Sequence, residues 1–182
     1  MFHKLRQSAL NNKVPIIKPE AENIIIQELN NIKPKNVVEI TAVYSSLVIN
    51  TIQTWEGKLT TFEISYLAYI EALANFHKFK QYNITAYNID PLINLEKIFI
   101  KEKIDFLFID AIMKFYLYFL LSFKDLLKND CTILLDNVVK FKSKTITLYE
   151  FLEKNQINYE IFFVPPNDGI MKIKFNNKLK LL

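Results

Sequence analysis

Five acidic residues, Glu39, Glu63, Asp90, Asp110 and Asp136, each stand where a short apolar run ends. The runs are NVVEI (36–40), LTTFEI (59–64), ITAYNI (84–89), IDFLFID (104–110) and CTILLDN (131–137). Read as parallel strands, they set all five carboxylates along one rim of a sheet, outside the carboxyl ends of its strands, where open α/β sheets bind ligands. A carboxylate there can accept both hydroxyls of a ribose, the role that suits Glu63, or hold a divalent cation. Any one of the five could simply cap the helix that follows; five in register point to a site. Asp110 and Asp136-Asn137 end two strands expected to be neighbours. Two carboxylates and an amide oxygen are hard oxygen donors, suited to Mg²⁺ or Ca²⁺ rather than Zn²⁺. Such a cation can bind a substrate oxygen and lower its pKa.

The elements that must position these acids are legible from periodicity. Helical patterns over 18–32, 44–55, 65–81, 92–102, 113–128 and 146–155 alternate with the apolar runs. Alternation of this kind predicts a parallel sheet covered by helices on both faces. Near the end, YEIFFVP (159–165) and IMKIKF (170–175) flank Pro166-Asn167-Asp168-Gly169, the signal of a β-hairpin turn. No repeat or linker divides the chain, so residues 1–182 are expected to form one domain.

Composition narrows the function classes. Two glycines, Gly57 and Gly169, are too few for a glycine-rich phosphate loop, and the stretch VVEITAVYSSL (37–47) makes its strand-to-helix turn without one. The net charge of +4 permits nucleic-acid contact without demanding it. Lys140, Lys142 and Lys144, just after Asn137, could meet phosphates or form a solvated face. One cysteine, Cys131, excludes an internal disulfide, and with two histidines makes a zinc site improbable. The leading segment MFHKLRQSALNNK lacks the apolar core of a signal peptide. A cytoplasmic protein without membrane contact is expected.

The motifs taken in order resemble a family, the class I S-adenosylmethionine-dependent O-methyltransferases of the catechol/caffeoyl-CoA type. The bacterial branch that includes the tRNA 5-hydroxyuridine methyltransferase is the most similar. NNKVPIIKPEAENII resembles the family's segment before its first core helix, and VVEITAVYSSL resembles LEIGTAIGYSSL with both glycines absent. TTFEIS, ITAYNIDPL, FLFIDAIMKFYLYF, LLKNDCTILLDNVV and VPPNDGIMKIKF are similar to its later motifs, in the same order. The resemblance implies a Rossmann-like, seven-stranded sheet of order 3-2-1-4-5-7-6 with the last strand antiparallel. It implies S-adenosyl-L-methionine as cofactor, a divalent metal such as Mg²⁺, and a homodimer.

Position by position, the resemblance places Glu39, Tyr44 and Ser46 in the cofactor turn, Glu63 at the ribose, and Asp90 near the adenine. Asp110, Asp136 and Asn137 match the metal ligands, and Tyr116 matches a motif aromatic. The family's lysine, three residues after the first metal aspartate, assists deprotonation of the substrate hydroxyl. Here that position is Met113, with Lys114 beside it as the available substitute. The expected activity is methyl transfer to a hydroxyl, with hydroxyuridine in tRNA as the leading acceptor. The alternative is a non-catalytic descendant that keeps the fold for a structural or binding role.

Overall fold

The computed structural model describes residues 6–7, 10–11, 16–40, 57–81, 83–95, 102–176 and 179. The glycine-less turn, with Tyr44 and Ser46, and the helix expected over 44–55 lie outside these residues. So does most of the helix expected over 92–102, whose described residues, 92–95 and 102, are not α-helical.

Seven strands form one sheet: β1 (Asn36–Ile40), β2 (Lys58–Phe62), β3 (Ile84–Tyr87), β4 (Ile104–Ile109), β5 (Leu127–Leu135), β6 (Tyr159–Val164) and β7 (Asp168–Lys174). Their order is β3-β2-β1-β4-β5-β7-β6. The first five pair in parallel, and β7 runs antiparallel between β5 and β6. This is the expected topology. The helices described are α1 (Pro19–Ile32), α2 (Tyr66–Lys78), α3 (Tyr116–Phe123) and α4 (Ile146–Lys154).

The period of two along a strand divides the core between two faces. Val37, Leu59, Phe106, Phe108, Leu134 and Ile170 face α1, which meets them with Ala21, Ile25 and Leu29 at strict four-residue spacing. Val38, Ile40, Phe62, Leu107, Ile109, Ile133 and Leu135 face the other way, against Tyr116, Phe119, Leu120 and Phe123 of α3 and Leu148 and Leu152 of α4. Phe62 stacks on Tyr87 and meets the edge of Phe123, with ring centroids 5.6 and 6.1 Å apart. Burying each such phenyl ring contributes about 1.5–3 kcal/mol.

Two expectations are corrected here. The pattern over 113–128 is not one helix: 3₁₀ turns at Met113–Phe115 and Lys124–Leu126 flank α3. Leu127 already belongs to β5, paired with Ile104, because sheet pairing wins over helical periodicity at a buried apolar residue. The hairpin turn is also shorter than expected. Val164 pairs with Asp168, which leaves Pro165, Pro166 and Asn167 as the loop and moves Asp168 and Gly169 into β7. Gly169 is there for space rather than for a turn. A Cβ would come within 2.7 Å of Val139 Cγ2 and 3.0 Å of the Phe162 carbonyl oxygen.

A chain so poor in glycine must close its helices with other residues. Lys33, Lys80 and Gln156, just past α1, α2 and α4, have φ of 50°, 54° and 53°, the left-handed conformation glycine usually supplies. The cap bonds form nonetheless. Lys33 N donates to Leu29 O at 2.8 Å, Gln81 N to Phe76 O at 2.9 Å and Ile157 N to Leu152 O at 2.9 Å.

Candidate active site

The parallel ladders run one residue beyond β4 and β5. Asp110 N donates to Ile40 O at 3.1 Å, and Asp136 N donates to Ile109 O at 3.0 Å. Ile109 and Leu135 are register partners. The two acids that follow them are therefore brought side by side at the carboxyl-end rim, on adjacent central strands. Burial pushes the Asp110 carboxyl up to about 7, and the charge of Asp136 adds to the push. Burial raises Asp136 to about 6, opposed by the Asn137 N–H; Asp168 raises it further and Lys18 lowers it. Two carboxylates this close and this desolvated resist joint ionisation, a conflict that a bound cation relieves.

Asn137 completes the set. Its φ of 60° is left-handed, a conformation that Asn tolerates better than most side-chain-bearing residues. Glycine would fit that backbone but offer no oxygen. The Asn137 backbone N–H and Nδ2 donate to Asp136 Oδ1 and Oδ2, both at 2.8 Å. Its own Oδ1 is thereby kept as an acceptor. Among the described residues no trio of His, Cys, Asp or Glu is grouped to hold a metal. The donors are thus two carboxylates and one amide oxygen. That set fits Mg²⁺, which takes one or two carboxylates and fills its octahedron with water and substrate oxygens.

Tyr116 and Asp168 support the pair from below. The Tyr116 hydroxyl, fully buried, donates to Asp136 O at 3.0 Å. Burial raises its pKa, and the charges of Asp110 and Asp136 add to the effect. Asp168, 2% exposed, accepts from Lys140 N at 3.1 Å and Gly169 N at 2.8 Å, and so ties the segment after β5 to the hairpin. Nothing in the sequence marks Asp168 as a site residue, because an Asp-Gly pair between two strands signals a turn.

The other expected site residues are placed as follows. Glu39 is not at a strand end: it lies one residue inside β1, fully buried, and accepts from Thr61 Oγ1 at 3.1 Å. Its neighbour Ile40 ends the strand. Glu63 follows β2 directly, and its Oε1 accepts from Ser65 N at 2.8 Å, holding the carboxylate at the rim. Asp90 lies three residues past β3 and caps its own turn, with Oδ1 accepting from Leu92 N at 2.9 Å. Lys114 is exposed and stacks over Phe115, its Nζ 4.8 Å from the ring centre. Met113, in the usual lysine position, packs against the core. Beside them a cleft of about 470 Å³ opens between Ile112, Met113 and Lys114 on one wall and Ser143, Lys144, Ile146 and Thr147 on the other.

A protein-family profile described as O-methyltransferase matches residues 1–179. The chain belongs to the O-methyltransferase family, whose class I members use S-adenosylmethionine. Solved structures share its fold. A Staphylococcus aureus protein classed with the caffeoyl-CoA O-methyltransferases superposes with a TM-score of 0.82 at 24% identity, over 96% of this chain and 92% of that one. An O-methyltransferase from Bacillus cereus in complex with SAH gives 0.80 at 18% identity, over 96% and 90%. TomG, an O-methyltransferase of tomaymycin synthesis from Streptomyces achromogenes in complex with SAM, gives 0.80 at 15%, over 96% and 88%. At these identities the likeness is one of fold, and it agrees with the strand order of this O-methyltransferase-family sheet.

Proposed function

We propose that this chain transfers a methyl group from S-adenosylmethionine to a substrate hydroxyl, assisted by a divalent cation held by Asp110, Asp136 and Asn137. The observation that carries this reading is the buried pair of like charges on adjacent strand ends, which the fold keeps ionisable and provides with an amide oxygen. S-adenosylmethionine, when bound, supplies an electrophilic methyl on a sulfonium, and the cation supplies charge neutralisation at the acceptor oxygen. The protein's part is positional. Glu63 offers its carboxylate to ribose hydroxyls at the end of β2. Tyr116 and Asp168 hold Asp136 and the segment after it in place. The cleft beside Met113 excludes water from the acceptor's apolar part. The Bacillus and Streptomyces relatives, solved with SAH and SAM, support the choice of cofactor.

Hydroxyuridine in tRNA is the acceptor this reading favours. Lys114 and Lys144 line the cleft, and Lys140 and Lys142 follow the site closely. These are cations that could meet phosphates. A homodimer is part of the proposal, and α2 offers a face for it, with Tyr66, Leu67 and Ile70 exposed. The second reading is a non-catalytic descendant, favoured by Met113 and by the turning of Lys114 onto Phe115.

Calorimetric titration with S-adenosylhomocysteine, with and without Mg²⁺, tests the function. Micromolar binding is expected. No binding to the folded protein would overturn the cofactor reading in favour of the second. Methyl transfer that survives Asp110→Ala would overturn the metal.

A further inference from the structure

Asn137 has a left-handed backbone, and the carbonyls on either side of it are held by two buried hydroxyls from two different helices. The carbonyl before it, Asp136 O, accepts from the Tyr116 hydroxyl of α3 at 3.0 Å. The carbonyl after it, Val138 O, accepts from the Tyr149 hydroxyl of α4 at 3.2 Å. Thr145, the N-cap of α4, adds its Oγ1 to the same oxygen at 3.5 Å. Val138 and Thr145 are fully buried and Tyr149 is 5% exposed, so water does not compete for these bonds. Both lone pairs of one buried carbonyl are thus taken up by side chains of a single neighbouring element.

These bonds close a frame around Asn137. Val138 N donates to Gly169 O and Lys140 N to Asp168 Oδ1, both at 3.1 Å, so the hairpin holds the N–H side of the segment. Tyr149 and Thr145 hold its carbonyl side. A strained φ of 60° persists only where the surroundings over-determine it, and here the residues on both sides of Asn137 are fixed. The Tyr149 ring is fixed in its turn. Tyr159 meets it edge-on with centroids 5.7 Å apart, and Lys142 Nζ lies 4.7 Å over its face. Thr145 and Tyr149 belong to the same stretch as Ser143, Lys144, Ile146 and Thr147, which wall the cleft beside Met113. The Val138 carbonyl is the junction between that wall and the residues proposed to hold the cation.

We propose that Tyr149, assisted by Thr145, is a positioning residue of the metal site: by holding the Val138 carbonyl it keeps Asn137 left-handed beside the acid pair, and it ties affinity for the cation to the placement of the cleft wall. The inference rests on the proposed metal-assisted reading and extends it to a helix that supplies none of the ligands. Tyr149 acts through the backbone from α4 as Tyr116 does from α3.

The test uses Mn²⁺ alone as probe, titrated into wild type, Tyr149→Phe, Thr145→Val and Tyr159→Phe, with urea unfolding in EDTA to separate affinity from stability. Phe at 149 keeps the ring and loses the bond to Val138. Tyr159→Phe makes the same change in the neighbouring ring, which has no bond to this carbonyl. Tyr149→Phe is expected to bind Mn²⁺ about three- to ten-fold more weakly, the worth of one buried hydrogen bond. Thr145→Val should weaken binding by a smaller factor, its bond being the longer, and Tyr159→Phe should bind as wild type does. Equal or tighter binding by folded Tyr149→Phe and Thr145→Val, with only their stability lowered, would overturn the positioning role and leave the metal reading intact. An equal weakening in Tyr159→Phe would overturn it too, by assigning the effect to ring packing. Absence of Mn²⁺ binding in wild type would overturn the metal reading and this inference with it.

Discussion

Asp110→Asn is expected to stabilise the metal-free protein at alkaline pH while removing a carboxylate of the proposed metal site. The Asp110 carboxyl is held at about 7 against 3.8 for an ordinary aspartate, a difference of about 3 units. At about 1.4 kcal/mol per unit, ionising it in the folded state costs up to about 4 kcal/mol. Asp136 titrates in the same window and shares the cost, so the gain on removing one charge is about 2–4 kcal/mol. The sign follows from proton counting. Between the two pKa values the folded chain keeps a proton that the unfolded chain has lost, so stability falls as pH rises. Stability is full below about pH 4 and the loss is complete above about pH 7. Asn cannot ionise and escapes this loss. Urea unfolding in EDTA at about pH 5 and about pH 8 measures it, with the variant's advantage clearly larger at the higher pH. Saturating Mn²⁺ should reverse the order, because only the wild type gains binding energy. Parallel pH profiles for the two proteins in EDTA would refute the reasoning.

Three further perturbations follow from the packing. Gly169→Ala drives a Cβ against Val139 and the Phe162 carbonyl, and is expected to cost about 1–3 kcal/mol, read as a lower Tm. Tyr116→Phe removes the bond to the Asp136 carbonyl; about 1–2 kcal/mol should be lost in urea unfolding, together with Mn²⁺ affinity. Lys172→Met leaves Glu28, 11% exposed, without its partner at 2.9 Å. A loss of about 1–3 kcal/mol is expected, and the double variant with Glu28→Gln should recover most of it.

The core of the fold was legible because the central strands announce themselves. IDFLFI is apolar at nearly every position, as a strand buried on both faces must be, and an acid immediately after it can only stand at the rim. Asp110 and Asp136 followed directly. Glu39 is the penultimate residue of NVVEI, so it is buried within the strand instead of standing free at the rim. Asp168 was missed because hairpin chemistry and site support use the same Asp-Gly pair. The break of the 113–128 pattern has a long-range origin: Leu127 is claimed by Ile104, 23 positions upstream.

The left-handed helix ends have a consequence for how this sequence can drift. Lys33, Lys80 and Gln156 are all exposed. Each carries a backbone penalty of about 1 kcal/mol that glycine would not. The penalty is confined to a single solvent-facing residue and leaves the cap bonds and the strand register intact. Glycines can therefore be shed at such ends one by one, each a small local debit, without the topology changing at all. The same positions are where an engineer would begin: three substitutions to glycine, remote from the rim, would widen the margin within which the rim acids can be varied and still be studied in a folded protein.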